Sequence, residues 1–165
     1  MEAGTVGTPS ATGSTTMADL AALAAASHGS APALKRRLGE QWVDTSYSEL
    51  GETVSEVARG LIDLGIGRGD RVAILAHTRP EWTYANLGIL AAGAASVSIY
   101  QTNSPEECHY VLEHSESTAV FAEDEEQLAK IRAIRHQLPS LQHVIVMDGD
   151  TSDSAISLDD VRERG

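Results

Sequence analysis

The sequence predicts an α/β fold: a parallel sheet with helices on both faces, built from βαβ repeats. Three observations carry this. Short apolar runs such as Arg71–Ala76, Ala95–Tyr100, Thr118–Ala122 and His143–Met147 alternate with stretches of helical period. The helical stretches are long enough for crossover connections. The apolar runs are near-continuous, as in strands buried on both faces.

Each element has a local cause. Residues 1–16 are Gly, Ser, Thr, Ala and Pro with almost no large apolar side chain, so they are expected to be a disordered extension. Met17 is the expected start of the folded part, residues 17–165, and opens a short helix over Ala18–Ala26. Ala33–Arg37 and Gln41–Asp44 flank Leu38-Gly39-Glu40, which predicts a hairpin turning at Gly39. Ser46 and Glu49 form a capping box, and Leu50, Val54, Val57, Ala58, Leu61 and Leu64 follow on one helical face up to a left-handed cap at Gly65. Arg71–Ala76 is a buried strand. Thr78, Pro80 and Glu81 read as cap, first turn and box of a helix over Trp82–Ala92, apolar nearly all round and therefore covered on both sides. Ala95–Tyr100 is the next buried strand. Ser104-Pro105-Glu106-Glu107 repeats the start chemistry, with Cys108, Val111, Leu112 and Ser115 facing inward. A third helix spans Glu125–Leu138, with Leu128, Ile131, Ile134, Arg135 and Leu138 along one side. Ser157-Leu158-Asp159-Asp160 caps a last helix.

Composition narrows the function. The chain has 165 residues, enough for one well-buried core. A net charge of −12 argues against nucleic-acid binding, and an anionic membrane surface would repel it. Cys108 is the only cysteine, so no intrachain disulfide forms, as befits a reducing compartment. No apolar run approaches the roughly 18 residues of a membrane span.

The motifs that invite chemistry mostly have simpler readings. Gly65–Asp70 is glycine-rich, but it follows a helix and precedes a strand, the reverse of a phosphate-cradling loop. Cys108, His109 and His114 are not spaced three or four apart, so they do not converge on a metal, and no metal ligand is assigned. Glu106, Glu107, Glu113, Glu116 and the run Glu123–Glu126 suit helix first turns, where negative charge complements the dipole. Lys35 lies in the hairpin and Lys130 on the outer side of a helix, neither placed for a phosphate. No catalytic residue is assigned. In open α/β sheets ligands approach the carboxyl ends of the strands, here His77-Thr78, Tyr100-Gln101-Thr102 and Glu123-Asp124. Tyr100 and Thr102 are the candidate substrate-binding residues at a pocket edge. The alternative is that Thr102, Asn103 and Ser104 only organise the turn.

The order and spacing of these pieces carry a resemblance. Tyr47-Ser48-Glu49-Leu50, Gly69–Ile74 and Arg79-Pro80-Glu81-Trp82 resemble the opening of the AMP-forming acyl-CoA synthetases of the adenylate-forming superfamily. Tyr100–Cys108, Tyr110-Val111-Leu112, Leu128–Ile131 and Leu138–Val146 resemble the long-chain fatty-acid–CoA ligase branch. The match covers residues 31–165. The resemblance implies an incomplete N-terminal portion of an AMP-binding domain whose parent enzyme uses ATP, CoA, Mg²⁺ and a fatty acid and is cytoplasmic, with peripheral membrane association through its substrate left open. The catalytic segments of such enzymes come later in the chain, so this stretch alone is expected to be inactive. Two other readings stay open: a naturally short, non-catalytic partner-binding or lipid-binding protein, and another adenylate-forming enzyme that activates aryl or amino acids.

Overall fold

The computed structural model describes residues 14–149, 151 and 155–165. Most of the expected N-terminal extension lies outside the described residues. Ser14, Thr15 and Thr16 fold onto the Asp19 carboxylate, with the Ser14 hydroxyl donating to Asp19 Oδ1 at 2.5 Å. With Asp19 so engaged, helix α1 (Leu20–His28) starts later than the sequence suggests.

The hairpin forms as expected, from β1 (Pro32–Leu38) and β2 (Gln41–Ser46), turning at Gly39 with φ +61°. Helix α2 (Tyr47–Asp63) begins with the Ser46/Glu49 capping box and ends before Gly65, whose φ of +85° only glycine adopts without strain. Then follow β3 (Arg71–Leu75), α3 (Pro80–Ala91), β4 (Ala95–Ile99), α4 (Pro105–His114), β5 (Ala119–Ala122), α5 (Glu125–Ile134), β6 (His143–Val146), β7 (Ile156–Ser157) and α6 (Leu158–Arg164). A single 3₁₀ turn, Arg135–Gln137, replaces the expected last turn of the third helix as the chain tightens ahead of Pro139. The two-residue β7 is too short to carry a pattern and had no sequence signal.

The five strands β3–β7 are parallel, in the order β4-β3-β5-β6-β7. The chain therefore steps outward from β3 to β4, then returns over β3 to build the other side. Side chains alternate between two cores. Val72, Ile74, Phe121 and Ile145 meet Val57 and Leu61 of α2, Ala85 and Ile89 of α3, and Val161 of α6. Ala73, Leu75, Val120 and Val144 meet Cys108 and Leu112 of α4 and Leu128 and Ile131 of α5. Helix α3 has no fully exposed residue: its other side packs Tyr84 and Leu87 against Ala21, Leu50 and Val54.

Two expectations need correction. The strand at Ala95 is not buried along its length. As β4 it is the sheet edge, and only Ile99 is fully covered. Its serines reflect this: Ser96 donates its hydroxyl to Asn86 Oδ1 at 2.8 Å. Thr78 is not the cap of α3. Arg79 holds that position with no side-chain cap bond, since a guanidinium has no acceptor, and the Glu81 carboxylate binds two guanidinium groups. Those charge-assisted bonds outweigh a capping-box hydrogen bond.

Close approach of α2 and α6 depends on Gly60, where an added Cβ would lie 1.8 Å from the Val161 carbonyl oxygen. Gly60→Ala is expected to destabilise the chain by about 1–3 kcal/mol, as overpacking does. At Gly67 an added Cβ meets nothing within 4 Å. Gly67→Ala therefore serves as the control, within roughly 0.5 kcal/mol of the parent. Urea unfolding of the two variants checks the difference. By the same method Ser104→Ala should cost about 1 kcal/mol, since it removes the cap of α4, whereas Thr78→Ala should cost less than half of that.

Candidate functional site

Two crevices open at the carboxyl ends of the strands. The first lies between β3 and β5. Their outgoing loops run to helices on opposite faces of the sheet, the arrangement at which doubly wound folds commonly bind ligands. Here it is filled by charge. Glu123, directly after β5, accepts from the His77 backbone N–H and from the His77 ring, both at 2.7 Å to the same oxygen. Arg79 Nη1 lies 3.5 Å from the other Glu123 oxygen. The same guanidinium donates from Nε to Glu81 at 2.6 Å and pairs through Nη2 with Asp148 at 2.6 Å. Glu81 also accepts from Arg36 of the hairpin at 3.0 Å. One arginine thus ties together the loops after β3, β5 and β6, and Glu81 extends the tie to β1.

The electrostatics follow. Burial works to raise the pKa of Glu81, but the hydrogen bond from Arg79 and the charge of Arg36 hold it below the usual carboxylate range. Burial also opposes ionisation of Glu123. The hydrogen bonds from His77, with the charges of His77 and Arg79, overcome it and hold this carboxyl low as well. Burial disfavours the charge on Arg79, yet the bonds to Glu81 and Asp148 leave the guanidinium more firmly protonated than usual. Two arginines face three carboxylates here, with the His77 ring against one of them.

The second crevice is open. It is a cleft of about 630 Å³ between the ends of β3 and β4, lined by His77, Thr78, Trp82, Ser98, Tyr100 and Gln101 among others. Tyr100 stands at its mouth, 77% exposed. Thr102 is exposed in the turn before α4, outside the cleft lining. The turn itself is anchored by Lys130, whose Nζ donates to the Gln101 carbonyl at 2.6 Å. Lys130 is half-buried in this role and does not simply point outward from α5, as the sequence suggested.

The remaining motifs resolve individually. Asp70 accepts from the Gly67 N–H at 2.8 Å, which organises the Gly65–Asp70 segment as a helix-to-strand turn. Cys108 packs inside the second core, and burial pushes its thiol pKa up, so it stays a protonated, inert thiol. His109 approaches Glu113, while His114 stacks on Tyr110. Of the acidic run, Asp124 caps α5 through the Gln127 N–H and Glu125 pairs with Arg132. Glu123 is the exception to the capping role expected of the run. Its partners lie 44 and 46 residues away, and no local signal revealed them.

Stability should record these carboxylates. Both have lowered pKa values in the folded chain, so their contribution is complete above the ordinary glutamate value, about 4.3, and is lost as the pH falls through the folded values. Glu81→Gln and Glu123→Gln are each expected to flatten the acid limb of stability against pH, as measured by urea midpoints over the acidic range.

Comparison with known proteins agrees with this architecture. The AMP-binding enzyme family model matches residues 22–164. The long-chain-fatty-acid–CoA ligase ACSBG2 of Xenopus laevis is 39% identical over 118 residues, 72% of this chain and 16% of the relative. The long-chain-fatty-acid–CoA ligase FadD15 of Mycobacterium bovis is 36% identical over 115 residues, 70% of this chain and 19% of the relative. The chain thus spans less than a fifth of the length of these relatives. The crystal structure of the anthranilate CoA ligase AuaEII with anthranoyl-AMP shares the fold with a TM-score of 0.80 at 23% identity, covering 90% of this chain and 28% of that one. The Archaeoglobus fulgidus long-chain-fatty-acid–CoA ligase FadD1 gives a TM-score of 0.78 at 19% identity, covering 91% and 30%. No helix among the described residues is long and apolar enough to cross a membrane. With nearly its whole described length matched, the chain belongs to the AMP-binding enzyme family.

Proposed function

We propose that this chain forms the first part of the large N-terminal domain of a long-chain fatty-acid–CoA ligase. In the reaction proposed for the parent protein, the fatty carboxylate attacks the α-phosphate of ATP and pyrophosphate leaves. The CoA thiol then attacks the acyl carbon of the acyl-adenylate and releases AMP. The observation that carries the reading is the identity of 36–39% to proteins named as long-chain ligases over the stretch that contains the cleft.

Within that reading the chain supplies a wall and not the reacting groups. Among the described residues no cluster of His, Cys, Asp or Glu suits a metal. Lys35 pairs with Asp44 and Lys130 with the Gln101 carbonyl, so neither is held ready for a phosphate. ATP and its Mg²⁺ would be held by segments beyond Gly165. Tyr100 forms the edge of the substrate pocket, with Thr102 in the exposed turn beside it. The location proposed for the parent protein is the cytoplasm, with peripheral membrane association through its substrate.

The test is acid-dependent ATP–pyrophosphate exchange, run on the 165-residue chain and on the product of the gene read past Gly165. Exchange is expected for the longer protein with palmitate-like acids, and none for the 165-residue chain. Preference for aryl or amino acids would overturn the substrate assignment. A stop codon after Gly165 would overturn the parent-enzyme reading in favour of a short binding protein.

A further inference from the structure

The ion-paired β3/β5 crevice leaves one ring nitrogen with unused hydrogen-bonding capacity, on a residue that lines the neighbouring cleft. Glu123 Oε2 lies 2.7 Å from both the backbone nitrogen and ring Nδ1 of His77. An ionised carboxylate only accepts, so Nδ1 carries the proton of the neutral ring. That leaves Nε2 with its lone pair. Nε2 has no hydrogen-bond partner among the described residues, the side chain is 60% exposed, and His77 lines the cleft. The carboxylate cannot easily turn away. Its second oxygen faces Arg79, and Arg79 is itself held by Glu81 and Asp148.

We propose that Glu123 and His77 form a carboxylate–imidazole dyad that fixes the Nδ1–H tautomer and offers Nε2 to the cleft as an acceptor for a ligand hydroxyl, amide or thiol hydrogen. Arg79 is its positioning residue. Free histidine favours the opposite, Nε2–H tautomer, so the dyad makes the cleft wall an acceptor where an unpaired histidine would be a donor. Second-sphere carboxylates orient imidazoles at metal sites in the same way. The proposal rests on the reading of the cleft as ligand-facing, but its test does not require ligase activity.

Long-range ¹H–¹⁵N spectra of the imidazoles in the 165-residue chain, recorded above the ordinary histidine range of about 6.5, report the tautomer. His77 is expected as Nδ1–H in the parent chain and in Arg79→Lys, as a mixture in Arg79→Met, and as mostly Nε2–H in Glu123→Leu. An Nε2–H tautomer in the parent, or an unchanged tautomer in Glu123→Leu, would overturn the proposal. Should Glu123→Leu fail to fold, Glu123→Gln takes its place, with a shift towards the mixed state expected and an unchanged tautomer contradicting the dyad. Diethyl pyrocarbonate gives a second readout. His77 in the parent should be carbethoxylated several-fold faster than in Glu123→Gln, and equal rates would contradict the proposal. Failure of the longer protein to show ligase activity, with the tautomer as expected, would overturn the functional reading and leave the dyad standing.

Discussion

Everything in this fold is arranged around β3. It is an interior strand of the parallel sheet, second from the edge, paired with β4 on one side and β5 on the other. Val72, Ala73, Ile74 and Leu75 are fully buried, two pointing to each face. A strand so placed needs cover on both sides, and the chain supplies it in two layers, α2, α3 and α6 on one face and α4 and α5 on the other. Right-handed crossovers then decide the rest. A connection leaving β3 over one face can only reach β4, and the return over the other face must pass β3 to reach β5. The crevice between β3 and β5 follows from that reversal and not from any local motif.

This constraint explains why charge collects where it does. At the reversal point the loops diverge and leave backbone and polar groups facing a gap. Arg79 fills it, bonded to Glu81, Glu123 and Asp148 from three loops. Partly buried ion pairs of this kind need every partner present, because removal of one strands the others. The open cleft is displaced one strand over, to the β3/β4 side, where Trp82 and Tyr100 provide apolar surface and His77, Thr78, Ser98 and Gln101 provide polar edges. Lys130, reaching from α5 to the Gln101 carbonyl, fixes the far lip. Long-range ties therefore hold both sides of the cleft: His77 through Glu123, and the Tyr100 turn through Lys130.

The legible part of the fold was the part with local causes. Ser46 with Glu49, Ser104 with Glu107 and Ser157 with Asp160 each form a box within four residues, and all three close as expected. Thr78 with Glu81 has similar spacing and fails, because Arg36, 45 residues earlier in the chain, competes for the same carboxylate. Strand periodicity located β3 to β6 but could not give their order, so the edge position of β4 was not visible. For the same reason Glu123 read as one acid in a helix-capping run. Its role depends on β5 lying beside β3, a neighbour two strands back in sequence. The place of Tyr100 and His77 at the carboxyl ends of strands was legible in the sequence, whereas the pairing of His77 with Glu123 was not.

The most direct measurement is hydrogen exchange at the His77 amide. This residue lies beyond the end of β3, yet its N–H is donated to Glu123 across the crevice. If the ion-pair network closes the β3/β5 gap, that amide exchanges at neutral pH with the slow amides of Val72–Leu75. Exchange at the rate of an unstructured peptide would mean that the gap is open and that the proposed division between a sealed crevice and a ligand-facing cleft is wrong.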